Sequence, residues 1–201
     1  EHTGDEVRDL ATAFRIPNAP VANGATVESL EHFVARGSFV ANPAGFHQPA
    51  HPYRISGVEL RPPSVAPRLG QHTEHHRIAD RTPRTVGSGM NALPLRGIRV
   101  LDLTTFWAGP SCTHPMALLG AEVIHVESAR RPDGTRLIAG VPVTEEQWWE
   151  KQPIFAALNT NKKDITLDLA TERGRELLSR LIATADVVAE NYTPRVLDQL
   201  G

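Results

Sequence analysis

The sequence predicts an α/β fold: a partial, Rossmann-like parallel sheet from about residue 94 onward, preceded by a mixed tail of helical and extended segments. Three observations predict it. First, residues 98–103 (IRVLDL) read as a short buried strand. They run into a T-T-F-W-A-G-P loop, a helical stretch ended by Gly120, and a second strand closing on Glu127. Strand, helix, strand in that order requires parallel pairing through a crossover. Second, the alternation repeats as strand 164–169, helix 171–183 and strand 186–190. Third, Pro43, Pro49, Pro52, Pro62, Pro63 and Pro67 exclude regular helix from the tail's middle.

Taken in order, Val7, Leu10, Ala11 and Phe14 fall on one face of a helix over 7–14. An extended piece follows at 16–21. Thr26 opens a second helix, with Val27, Leu30, Phe33 and Val34 at helical spacing. Residues 36–40 begin an extended region. Residues 80–92 are polar and rich in Gly and Ser without periodicity, which marks a linker. The expected organisation is a segment 1–76, a linker 77–93 and a sheet-bearing half 94–201. Beyond the linker, Met116, Leu118 and Leu119 continue the helix that Cys112 begins, and Cys112 reads as a buried packing residue. In helix 171–183, Leu177, Leu178, Leu181 and Ile182 share one face.

Composition narrows the function classes. Apolar residues make up 40% of the 201 and charged residues 22%, as in ordinary globular domains. A net charge of −2 leaves no basic footprint for nucleic acid. A single cysteine excludes an intramolecular disulfide and a cysteine-rich zinc site. No apolar run approaches the roughly 18 residues of a membrane span, so no membrane partner is expected and cytoplasm is the default compartment. Of nine histidines, the densest groups are His72, His75 and His76, and His47 with His51. No carboxylate pattern accompanies them, so they read as incidental surface residues and no metal is expected. A helix N-terminus above the 104–110 loop offers N–H groups to a phosphate. The three-glycine dinucleotide fingerprint is absent, because only Gly109 stands in the relevant place, so an NAD site is not expected.

Six blocks then occur in register: L-R-G-I-R-V-L-D-L-T (95–104), A-G-P (108–110), L-G-A-E-V-I-x-V-E (119–127), D-G-T-R (133–136), N-x-N-K-K-x-I-T-L-D-L (159–169) and A-D-V-V-x-E-N-Y-x-P (185–194). Together they resemble the opening half of the class III CoA-transferases, the CaiB–BaiF family, which includes formyl-CoA, carnitine and succinyl-CoA-dependent transferases and α-methylacyl-CoA racemases. I-P-x-A-P-V (16–21), A-R-G-S-F-V (35–40), H-P-Y-R-I-S (51–56) and A-P-R-L-G-Q-H-T (66–73) resemble the same family's closing end. The order is inverted, tail before head. An excised window of a tandem fusion, a permuted unit and a truncated chain each account for it.

The resemblance implies an acyl-CoA:carboxylate CoA-transferase acting through an aspartyl intermediate, with coenzyme A or acyl-CoA and a small carboxylic acid as substrates. It also implies an interlocked homodimer or a tandem pair within one chain. The family's catalytic aspartate falls beyond the E-N-Y-x-P block, so no catalytic residue is assigned here. A racemase and a non-catalytic CoA-binding module are the alternatives.

Matching to the family's CoA-contacting positions gives Trp107, Ala108, Ser128, Arg130, Leu167, Asp168, Leu169, Ala170, Asn191, Tyr192, Thr193 and Gln199. Trp107 departs from a position that is often polar, and reads either as a stacking wall or as a core or dimer-contact aromatic. Arg130 and Arg131 stand near a phosphate position or are solvated loop residues. Asp133 and Arg136 read as a structural ion pair or as ligand contacts. Ala170 replaces a frequent lysine. Lys162 and Lys163 supply long-range attraction or form a solvated turn. Asn191, at a strand's carboxyl end, is the leading polar contact.

Overall fold

In the computed structural model, which describes residues 2–74, 93–138 and 140–200, the chain divides into two units, Glu1–Val40 and Ala41–Gly201. The first unit carries α1 (Gly4–Ala13) and α2 (Glu31–Arg36). A capping box starts α1: Thr3 Oγ1 accepts from the Glu6 N–H at 3.3 Å, and Glu6 accepts from the Thr3 N–H at 2.8 Å. No residue of α1 is buried. The single helix expected from Thr26 is interrupted. Val27–Ser29 form one 3-10 turn and Leu30 is extended before α2 begins. The cause is local competition. The Asn23 side chain accepts from the Ala25 and Thr26 N–H groups, and Ser29 Oγ donates to the Thr26 carbonyl. Gly37 ends α2 at φ 58°.

A two-stranded sheet pairs β1 (Phe39–Asn42) with β2 (Phe46–Pro49). The rest of the second unit is β3 (Arg99–Asp102), α3 (Ala108–Leu118), β4 (Glu122–Glu127), α4 (Pro153–Leu158), β5 (Lys163–Thr166), α5 (Glu172–Ile182), β6 (Val187–Ala189) and α6 (Arg195–Leu200). The main sheet is parallel throughout, in the order β5-β4-β3-β6. Helix α3 starts four residues before Cys112, and Cys112 is exposed rather than buried. It lies off the buried face formed by Gly109, Pro110, Thr113, Ala117 and Leu118. β5 is shorter than expected. Asp168 turns the chain by accepting from the Ala170 N–H through Oδ1 and from the Thr171 N–H through its carbonyl.

Alternation in these strands separates two faces. Leu101, Leu103, Ile124, Val126 and Ile165 pack with Leu178 and Leu181 of α5. Each such buried side chain contributes about 1.5–3 kcal/mol. On the opposite face Val100 and Val123 pack with Ala117 and Ala121. Further along the strands that second face becomes polar, carrying Asp102, His125, Glu127 and Asp164, all buried.

Residues 61–73 run over this unit. The Arg61 N–H donates to Leu118 O, and its guanidinium donates to Gly120 O at 3.3 Å and Ala117 O at 3.5 Å, satisfying carbonyls at the end of α3. The Gly70 N–H donates to Asp164 Oδ1 at 2.6 Å, the His72 N–H to Asp164 O at 2.8 Å, and the Thr166 N–H to Thr73 Oγ1 at 2.8 Å. The outer edge of β5 is thereby covered. Apart from Leu93, the expected linker 77–93 lies outside the described residues, as do His75 and His76. Among the described residues, no helix is long and apolar enough to cross a membrane.

Candidate functional site

The chain lays down β3, β4 and β5 side by side in one direction, then returns to place β6 on the other side of β3. The crevice between the loops after β3 and β6 is a topological switch point, where open parallel sheets collect their ligands at the carboxyl ends of the strands. Asn191 bridges it. Its Oδ1 accepts from the Thr105 N–H at 2.9 Å and its Nδ2 donates to Thr105 O at 2.9 Å. Two adjacent loops are thus fixed by one amide, and both of its polar atoms are committed to the backbone.

Next to Thr105, Phe106 takes φ 72°, a left-handed conformation rare for a bulky side chain. The 133–136 turn holds it there. Asp133 accepts from the Phe106 N–H at 3.2 and 3.3 Å, and also from Thr135 N and Thr135 Oγ1 at 2.7 and 2.6 Å. The Phe106 ring fills the space a side chain at Gly134 would need. Trp107 follows at the N-cap of α3, 47% exposed, its ring edge-on to Phe106 at 6.3 Å. It caps no N–H through its side chain. Ala108, exposed, opens the helix.

Across the crevice, Tyr192 is partly buried against the core, its N–H donating to Glu190 at 2.7 Å. Burial, then Asp102 and Glu190, push its phenol pKa up. Thr193 is exposed and its carbonyl accepts from Val196 N at 2.9 Å. A second group lies at the ends of β4 and β5. Ser128 Oγ accepts from the Arg130 N–H at 3.2 Å, and the Arg130 guanidinium stands 3.4 Å from the Asp168 carboxylate. The Leu167 N–H extends the ladder to Glu127 O, Leu167 and Leu169 pack partly on the core, and Ala170 is exposed. Gln199 is exposed on α6. The matched residues therefore form two groups along one edge, 107–108 with 191–193 and 128–130 with 167–170.

Beneath this edge the polar face is a closed cluster of charges. Lys162 is fully buried, its Nζ donating to Asp102 at 2.9 Å, Thr113 at 2.7 Å and Asn159 at 2.8 Å. Neither long-range attraction nor a solvated turn describes it. Burial lowers its pKa, opposed by the Asp102 charge beside it. Burial would raise the Asp102 carboxyl, but Lys162, His125 and Thr104 outweigh it and hold the pKa well below normal. Lys163 pairs with Glu122, which also takes Arg99. Burial opposes ionisation of Glu122, yet these two cations pull its pKa down to about 2.

The Arg136 guanidinium does not pair with the Asp133 carboxylate, contrary to the expected ion pair, although the Arg136 N–H donates to the Asp133 carbonyl at 2.9 Å. Arg136 is fully buried and binds Glu127 at 2.9 Å, Glu150 at 2.8 Å and the Pro67 carbonyl at 3.1 Å, with its guanidinium 3.5 Å above the Phe155 ring. Asp133 instead caps the turn. Burial and the facing Glu127 push the Asp164 carboxyl pKa well up. His125, also unlike the expected surface histidines, is buried with its ring nitrogens 3.4 Å from Asp102, 3.8 Å from Glu127 and 3.9 Å from Asp133. Donor atoms of His125, Glu127 and Asp164 lie within 4.8 Å of one another. Both Glu127 oxygens already bind Arg136, one also binds the Asp133 N–H, and Arg136 stands 3.8 Å from Asp164. The guanidinium is the cation of this cluster.

A groove of about 320 Å³ lined by Arg61, Arg96, Gly120, Glu122, Asn161 and Lys163 opens at the amino ends of the strands, away from the crevice. Arg61 there is engaged by carbonyls at and just past the end of α3, and Lys163 by Glu122. Packing accounts for it better than ligand binding does.

Thr105, Phe106 and the clamp by Asp133 escaped sequence reasoning. The D-G-T of 133–135 is a turn signal, but nothing in sequence says which distant N–H its carboxylate holds. The buried cluster did leave a trace: His125 and Glu127 alternate with Ile124 and Val126 in a strand whose every residue from Val123 on is buried.

The model of CoA-transferase family III matches residues 1–73 and 95–201. An acyl-CoA transferase of Fusarium pseudograminearum is 35% identical over 164 residues, 73% of this chain and 35% of that protein. A formyl-CoA:oxalate CoA-transferase of Rhodopseudomonas palustris is 43% identical over 108 residues, 53% of this chain and 24% of that protein. Among solved structures, a CAIB/BAIF family protein from Brucella suis matches with TM-score 0.48 and 39% identity, over 55% of this chain and 29% of its own. The chain thus spans about a quarter to a third of the length of these relatives.

Proposed function

Because the chain belongs to CoA-transferase family III, we propose that it is the CoA-binding part of an enzyme that moves CoA from an acyl-CoA to a carboxylic acid. The family match over most of the chain carries this reading. The crevice clamped by Asn191 and Thr105 supports it, since it offers a preformed edge with an uncapped helix start. In the reaction an aspartate carboxylate attacks the thioester carbonyl and expels CoA thiolate, leaving a mixed anhydride. The thiolate then attacks the aspartyl carbonyl, which releases the donor acid and leaves an enzyme-bound CoA thioester. The acceptor carboxylate completes the exchange by the reverse chemistry. We place that aspartate outside these 201 residues.

The residues present bind and orient. Trp107, Ala108 and 191–193 border the crevice, and the backbone at 167–170 with Ser128 and Arg130 forms its second group. Asn191 acts on Thr105 rather than on ligand. The tail-before-head order is read as two family units joined near 77–93, with a permuted unit as the other reading. The packing of residues 61–73 on β5 is compatible with both. An intact coding sequence limited to these residues would remove the tandem reading.

Titration with CoA and assays with formyl-CoA plus oxalate and succinyl-CoA plus a dicarboxylate panel test the proposal. The expected result is binding with Kd on the order of 1 mM and no turnover by the chain alone. Robust transfer would place the nucleophile within it. Absence of any CoA binding would end the assignment.

A further inference from the structure

We infer that the Phe106–Trp107 ring pair is a preset wall for the apolar acyl group of a CoA thioester, which makes Trp107 a specificity-determining residue. The inference rests on the CoA-binding reading above and names the substrate class of that same crevice. Four observations carry it. The pair stands in the loop directly after β3, one of the two loops that border the switch point. Both residues remain about half exposed, at 46% and 47%, in a segment whose backbone is tied down. The ties come from two sides: Asn191 grips Thr105 through two hydrogen bonds, and Asp133 grips the Phe106 N–H. Finally, Phe106 sits at φ 72° against Gly134, where any side chain would collide with its ring.

An unfavourable backbone conformation over-determined by its surroundings belongs to presentation rather than to simple packing. What is presented is aromatic surface, the two rings edge to face. Such a surface rewards methylene groups, while a second carboxylate lying against the ring faces loses water without gaining a hydrogen bond there. The donor thioester is therefore expected to carry an aliphatic or aryl acyl group rather than a short dicarboxylic one. Asp133 and Asn191 are positioning residues in this scheme, since they act through the loop.

Calorimetric titration of the whole chain with CoA, acetyl-CoA, butyryl-CoA and succinyl-CoA tests the wall. Butyryl-CoA should bind about fivefold tighter than acetyl-CoA, and succinyl-CoA no tighter than acetyl-CoA. Trp107→Gln should bring the butyryl-to-acetyl ratio to about one. Gly134→Ala, whose methyl meets the Phe106 ring, should lower the same ratio. A circular dichroism spectrum and melting curve matching the parent's confirm that either variant is folded. CoA binding with a ratio near one in the parent, or an unchanged ratio in Trp107→Gln, overturns the wall while leaving the CoA-binding reading intact. Absence of CoA binding removes both. A parent dimer that Trp107→Gln converts to monomer, seen by light scattering, would show that the ring meets a second copy instead.

Discussion

The ends of β4 hold two kinds of polar chemistry a few residues apart, and they obey opposite rules. Below the edge, Asp102, Lys162, Glu127 and Arg136 are buried, multiply bonded and paired charge against charge. Above it, Ser128, Arg130 and Thr193 are partly or fully exposed and lightly bonded, while Asn191 is exposed with its amide bound to Thr105. The lower group fixes the fold and has little spare capacity for a ligand. The upper one has capacity and contributes little stability. A polar residue in a family motif is therefore not thereby a ligand contact: Lys162 and Arg136 lie in two of the most recognisable blocks and are wholly internal.

Breaking the lower group should have the largest effect. Arg136→Met leaves Glu127 buried without its cation and is expected to cost about 3–5 kcal/mol in urea unfolding. A change below about 1 kcal/mol would mean that the pair is solvated. Lys162→Met, which orphans Asp102, should cost about 3 kcal/mol in the same experiment. His114 sharpens the comparison through pH. Burial and then Lys162 and His51 push its pKa down to about 4, from 6.5. The unfolded chain takes up that proton first as pH falls, so stability should decline from about pH 6.5 to pH 4. The decline should total on the order of 2–3 kcal/mol, and His114→Gln should flatten it.

Glu122, held down at about 2, adds the opposite kind of group. Its contribution is present above pH 4.5 and is lost as pH falls toward 2. In the upper group, Asn191→Ala should cost about 1 kcal/mol of stability or less while weakening CoA binding severalfold through the freed loop. Arg130→Ala, at an exposed ion pair, should change stability by less than about 0.5 kcal/mol. With Lys162 buried and Lys163 paired, the salt dependence of CoA binding falls chiefly to Arg130 and Arg131. It should be shallow.

The sheet was legible because hydrophobic runs such as 98–103 and 122–126 report their own burial, and Gly120 and the Asp168 turn punctuate them. Boundaries moved where side chains bonded locally, at Asn23–Ser29 and at Asp168. The family was legible through motif order. What stayed hidden depends on residues far apart in sequence. Asp133 holds Phe106 and Asn191 holds Thr105 across 27 and 86 positions. Arg136 finds Glu127 and Glu150 rather than the nearer Asp133. No periodicity encodes a choice among several nearby carboxylates.

The cover over β5 has a kinetic side. Gly70 meets Asp164 across 94 residues, Thr73 meets Thr166 across 93, and Pro62 meets Asn161 across 99. The β3–β4 pairing closes over only 23, from Arg99 to Glu122. Loop closure taxes the longer connections more heavily, and contacts of that range slow folding. The sheet is thus expected to assemble outward from β3 and β4, with the cover arriving late and opening early. In hydrogen exchange, the amides of Asp164 and Thr166 should lose protection before those of Leu101 and Ile124.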